Sequence, residues 1–92
     1  MNLATLQVEL RLKDCRGRRD RKRRLEEVIR KLRKHFNISA TEEEGRDPDS
    51  ARLFAAAVGS IRGQARESLE RAAEALAAHP DLELSHCELR DL

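Results

Sequence analysis

From Leu3 to Leu12 apolar and polar side chains alternate. Ala4, Leu6, Val8, Leu10 and Leu12 share one face, and Thr5, Gln7, Glu9 and Arg11 share the other. A period of two marks a strand with one buried face. Lys13 to Gly17 is predicted as a turn, after which the period lengthens. Leu25, Val28, Ile29 and Leu32 recur at i, i+3, i+4 and i+7, which predicts an amphipathic helix from about Arg18 to His35. Gly17 with Asp20 three residues later is a weak N-terminal capping arrangement. A short second strand is expected next, with Phe36, Ile38 and Ala40 inward and Asn37, Ser39 and Thr41 outward.

The polar stretch from Glu43 to Ser50 contains Gly45 and Pro48 and is predicted as a loop between two strands. Leu53 to Gly59 is short and apolar, as a central strand requires, although periodicity alone leaves an Ala-rich buried helix open. Ser60 is the predicted cap of a second helix, in which Ala65, Leu69, Ala72, Ala73 and Leu76 keep helical spacing. The pairs Arg66–Glu70 and Glu67–Arg71 support it at i, i+4. Pro80 ends it, and Leu82 and Leu84 alternate into a last strand. The order β-α-β-β-α-β predicts an α+β, ferredoxin-like fold. One domain over residues 1–92 would hold four antiparallel strands, with both helices on one face. The other face, with Thr5, Gln7, Glu9, Asn37 and Ser39, is expected to be solvated, or flat enough to meet another copy.

Composition narrows the class. Charged and hydrophobic residues each make up 39% of the chain, but twelve residues are alanine and there is no Trp or Tyr. Such a core buries modest area, and self-association would add stability. No run approaches the roughly 18 apolar residues of a spanning helix, and Met1 leads into strand-like alternation rather than a signal peptide. Two cysteines, Cys15 and Cys87, do not make a disulfide framework, so a reducing cytoplasm is the expected location.

The net charge of +2 hides a division: residues 11–34 hold thirteen Lys and Arg against four acids, a local +9, and the remainder carries −7. Segregated positive charge steers polyanions to one patch. On a helical wheel Arg23, Arg30 and Lys34 line up opposite Leu25, Ile29 and Leu32, with Arg24 and Lys31 beside them and Arg19 at the helix start. These six are the candidate nucleic-acid contacts, as cations set against phosphates. The competing reading is a solvated face, because Glu26 and Glu27 dilute the charge. Base stacking on the sheet is not expected, since Phe54 is the single aromatic of the third strand and Thr5, Gln7 and Glu9 are polar. Contact would then run through phosphates and be largely indifferent to base sequence.

Other chemistry is weaker. Cys15 and Arg21 have the C-x5-R spacing of cysteine phosphatases, but four of residues 16–21 are arginine, so the spacing is cheap, and no general acid accompanies it. An acylphosphatase-like use would need a first-loop Arg with a sheet Asn, for which Asn37 is the sole candidate, and the glycine-rich loop is missing. His35, His86, Cys87 and Cys15 lack metal-ligand spacing, and His86 and Cys87 should point to opposite faces of their strand. His35 is expected to favour the helix dipole and His86 to be half-buried. Glu42 to Asp49 is expected as a mobile acidic loop, able to screen the basic helix of a neighbouring copy. No enzyme activity, cofactor or metal is predicted.

Taken residue by residue, the chain resembles DUF503, a YlxP-like family of small bacterial proteins of unknown function. Leu6-Gln7-Val8-Glu9-Leu10 fits the family's first strand. Arg19-Asp20-Arg21-Lys22-Arg23 stands where a K-E-K-R-R run would be, and Leu32-Arg33-Lys34-His35-Phe36-Asn37-Ile38-Ser39 fits the helix end and second strand. Gly17-Arg18 replaces a Ser-Leu, removing a cap oxygen and an apolar anchor, and Ser50-Ala51-Arg52 stands for a Q-R-A-like segment. The resemblance implies a ferredoxin-like fold and, because such genes often lie beside translation genes, an accessory role with RNA or a ribosomal subunit. It implies no catalytic residues. Three functions follow from the sequence: RNA binding through the basic helix, a homodimeric protein-interaction module, or a small phosphate-ester or acyl-phosphate hydrolase at the Arg16–Arg21 loop.

Overall fold

The alternation at the start of the chain becomes β1 (Asn2–Leu12), and its apolar set of Ala4, Leu6, Val8, Leu10 and Leu12 is buried. The computed structural model describes residues 2–92; Met1, part of the expected single domain, lies outside the described residues. The order continues with α1 (Arg18–His35), β2 (Ser39–Glu44), β3 (Ser50–Gly59), α2 (Gln64–Ala78) and β4 (Leu82–Asp91). The sheet order is β2-β3-β1-β4 and every pairing is antiparallel, which is the expected ferredoxin-like topology. Leu25, Val28, Ile29 and Leu32 of α1 and Leu69, Ala72 and Leu76 of α2 close over the same sheet face. The first helix leans on the edge strand β2, and the second spans β1, β3 and β4.

The Ala-rich third element is a strand. Ala51, Leu53, Ala55 and Ala57 point into the core while Phe54 and Ala56 lie on the opposite face, half-buried. It begins at Ser50, earlier than expected, because the expected loop over Glu43 to Ser50 is shorter at both ends. β2 runs through Glu44 and only residues 45–49 connect the strands. That tight turn works because Gly45 has no side chain. A Cβ there would lie 2.8 Å from the Ser50 carbonyl carbon and 2.9 Å from the Ala51 nitrogen.

Three other expectations shift. The second strand starts at Ser39, since Phe36 is the extended C-cap of α1 and its N–H still donates to Leu32 O. Phe36 and Ile38 pack against the core from a linker, half-buried. Ser60 does not cap α2. Gly63 is the cap at φ +84°, and the Gln64 side chain reaches back to accept from the N–H groups of Ser60 (3.0 Å) and Ile61 (3.3 Å). His79, held extended by the proline after it, ends that helix. The last strand carries an irregularity between Glu9 and Leu10 of its partner, where Ser85 donates its hydroxyl to Glu9 O at 3.2 Å. Register then puts His86 opposite Glu9 and Cys87 opposite Val8, on opposite faces as expected. His86 is exposed rather than half-buried, because an edge strand shields only one side of it.

Candidate nucleic-acid interface

The first helix begins without a side-chain cap at Gly17, whose φ of +103° only glycine adopts freely. Asp20 compensates. Its carboxylate accepts from the Arg16 backbone N–H at 3.0 Å, from Arg23 Nη2 at 2.6 Å and from Arg24 Nη1 at 3.3 Å. The Arg16 hydrogen bond first, and Arg23 next, lower its pKa from 3.8 to about 2. This is half of a capping box, made one residue upstream of the cap itself.

The six candidate cations therefore divide. Arg19, Arg23, Arg30 and Lys34 are exposed along the side of α1 that faces away from the sheet. At about 1.5 Å per residue that line is roughly 22 Å long. Among the described residues no acid lies within salt-bridge reach of Arg19, Arg30 or Lys34, whereas Arg23 is held by Asp20. Arg24 and Lys31 turn instead toward α2, where both line a groove of about 330 Å³ whose walls include Val28, Phe36, Ala75 and Leu76. Arg24 is anchored on Asp20 and Lys31 lies 3.7 Å from Glu27. The sequence ranked these two beside the outer stripe, and the fold places them on its flank.

Two cations missed in the sequence belong to the other flank. Lys22 is exposed with no acid in reach among the described residues, and Arg33 donates to Ala40 O of the short edge strand. On the wheel both lie beside Ile29, away from the stripe of Arg23, Arg30 and Lys34.

Arg21 is the larger surprise. It is only 3% exposed, sits in line with the apolar residues of α1, and places Nη2 3.2 Å from Glu44 Oε1. Arg18 meets the other oxygen of Glu44 at 3.6 Å. The acidic stretch is thus a counter-charge for the helix of its own chain, where a mobile loop screening a neighbour was expected. Glu42 points to the same side, lining a crevice with Glu26, Ile29, Arg30 and Arg33, and its shielded Oε2 has no hydrogen-bond partner. The Arg21 guanidinium is committed to Glu44, and its backbone N–H shares the Gly17 carbonyl with Cys15. The thiol donates to Gly17 O at 3.3 Å, and the Arg21 guanidinium that the C-x5-R spacing would offer an anion is turned to a carboxylate instead. Among the described residues no group of three or more His, Cys, Asp and Glu side chains is placed to hold a metal ion.

These features define a small ferredoxin-like domain with one cationic helix face and an internal acid–base seam between that helix and its edge strand. The chain belongs to the family described as "Protein of unknown function (DUF503)", which it matches over residues 3–89. No curated protein matches it. Among solved structures it is similar to the solution NMR structure of a de novo designed protein, LFR1 1, with ferredoxin fold. That likeness has a TM-score of 0.49 at 18% identity and covers 98% of this chain and 86% of the designed one. Among the described residues no helix is long and apolar enough to cross a membrane.

Proposed function

We propose that this domain is a non-enzymatic cytoplasmic accessory protein that binds RNA, free or on a ribosomal subunit, through the outer face of α1. The observation that supports it is the line of Arg19, Arg30 and Lys34, exposed and outside salt-bridge reach of any carboxylate among the described residues, while Arg23, Arg24 and Lys31 are paired. Cations without an ion-pair partner release counterions when they meet phosphates. Arg23 joins them by exchanging Asp20 for a phosphate. Arg24 and Lys31 contribute long-range field rather than contact.

The test is fluorescence anisotropy of a labelled RNA across a salt series, with co-sedimentation on ribosomal subunits alongside. Arg19→Glu, Arg30→Glu and Lys34→Glu together should abolish binding near physiological salt. Single Ala variants should each lower the log–log salt slope by roughly 0.7 to 0.9. All three sites are exposed, so stability should move by no more than about 0.5 kcal/mol per site. Wild-type affinity in the folded triple variant would refute the proposal.

A further inference from the structure

The sheet face away from the helices is not flat. It holds a concavity of about 650 Å³, within the size range of small-ligand sites. Two rows of the ladder make its floor. Ser39, Ala56 and Thr5 stand side by side in the first, and Thr41, Phe54 and Gln7 in the second. The small side chains of the first row flank the half-buried ring of Phe54, the one aromatic of the sheet. An arginine stands at either end, and the two differ. Arg90 on β4 is held by Glu88, which accepts from its Nε at 2.9 Å and its Nη2 at 2.7 Å. Arg33 reaches round the edge of β2 from α1, donates to Ala40 O, and has no carboxylate within salt-bridge reach among the described residues. It also joins the concavity to the helix. With Ala40 and Thr41 it lines both the concavity and the crevice between β2 and α1, where Arg30 of the cationic stripe is a further wall. Glu26 and Glu42 share that crevice, so a phosphate there is confined to its arginines.

We infer that the RNA held on α1 is single-stranded and crosses the edge of β2, setting one unstacked base on Phe54 in the concavity with its phosphate at Arg33. The inference rests on RNA binding by α1. Arg33 lies one to two strand spacings from Phe54, roughly 5 to 10 Å, which a single nucleotide spans from base to phosphate. One aromatic is too few for the two- or three-base platform of sheet-surface RNA binders, but it seats one base. The Gln7 amide and the hydroxyls of Thr5, Ser39 and Thr41 offer donors and acceptors to a base edge or a ribose 2′-OH. A duplex keeps its bases stacked, so it can meet the cations of α1 but not Phe54.

The test is fluorescence anisotropy of the full chain with labelled RNAs of about ten nucleotides. They are a mixed-sequence single strand, an abasic strand of equal length, and the first strand annealed to its complement. Wild type should bind the intact single strand roughly tenfold more tightly than the abasic one, the effect of one stacked base. Phe54→Leu, which keeps apolar bulk and removes the ring, should erase that advantage and leave duplex binding unchanged, whereas Phe54→Tyr should retain it. Arg33→Gln should lower single-strand affinity severalfold. Equal affinity of wild type for intact and abasic strands overturns the inference. So does a Phe54→Leu or Arg33→Gln variant, confirmed folded by circular dichroism, that binds the single strand as wild type does. In those cases loss of binding in the triple α1 variant still upholds the reading of α1, whereas a wild type that binds none of the three RNAs removes both.

Discussion

Removing Glu44 should destabilise the domain by about 2 kcal/mol, although its side chain is more than half exposed. The figure follows from an unequal pair. Arg21 is 3% exposed and its Nε has no partner, so Glu44, 3.2 Å from Nη2 and 58% exposed, is its main compensation. Breaking a fully buried pair costs about 3–5 kcal/mol, while a fully exposed one is worth about 0–1. One buried and one half-solvated partner place Glu44→Ala between these limits. Arg21→Met keeps an apolar stem and removes the charge, so it should lie within about 1 kcal/mol of wild type. In that background Glu44→Ala should cost under about 0.5 kcal/mol, a coupling of roughly 1.5 kcal/mol. Urea unfolding with an unchanged m-value measures all four corners of the cycle. If Glu44→Ala costs the same with Met at position 21 as with Arg, the seam is not holding the charge and the reasoning fails.

Two further predictions concern the ends of the helix-to-edge connection. Gly45→Ala should cost about 1–3 kcal/mol, because the new Cβ meets backbone atoms of Ser50 and Ala51 that cannot move without opening the β2–β3 turn; a thermal melt within a degree or two of wild type would contradict this. Asp20 titrates at about 2 in the folded chain against 3.8 unperturbed, so the stability it contributes is present above about pH 4 and is lost as pH falls toward 2. Asp20→Asn should flatten that part of the acid-unfolding curve, and a carboxyl NMR titration midpoint near 3.8 would be the contrary result.

The fold was legible because its signals are local and mutually consistent. The period of two in β1, the change to 3.6 in α1 and Pro80 after α2 each mark an element without reference to the rest of the chain. What slipped was set by groups that sequence spacing does not rank. The acidic run at residues 42–44 has poor strand propensity, so its residue types predict loop in part. Ladder hydrogen bonds to β3 and the counter-charges of α1 hold it as an edge strand. Likewise Ser60 is the better cap by residue type, yet Gln64 satisfies the same backbone N–H groups from inside the helix.

The candidate site was legible to a different depth. A wheel assigns each cation to a face, but its free charge depends on which carboxylate reaches it. Part of that was within reach of the sequence: Asp20 stands three and four residues before Arg23 and Arg24, and Glu27 four before Lys31, the spacings at which helix pairs form. The rest was not, because Glu44 reaches Arg18 and Arg21 only after β2 has folded alongside the helix. Counting these pairs turns a local charge of +9 over residues 11–34 into a narrower feature. Since Asp20 stays ionised down to about pH 2, its hold on Arg23 and Arg24 does not relax in the physiological range. Selectivity for a polyanion therefore rests most on Arg19, Arg30 and Lys34, none of which is within salt-bridge reach of a carboxylate among the described residues, although Glu26 and Glu42 share a crevice with Arg30.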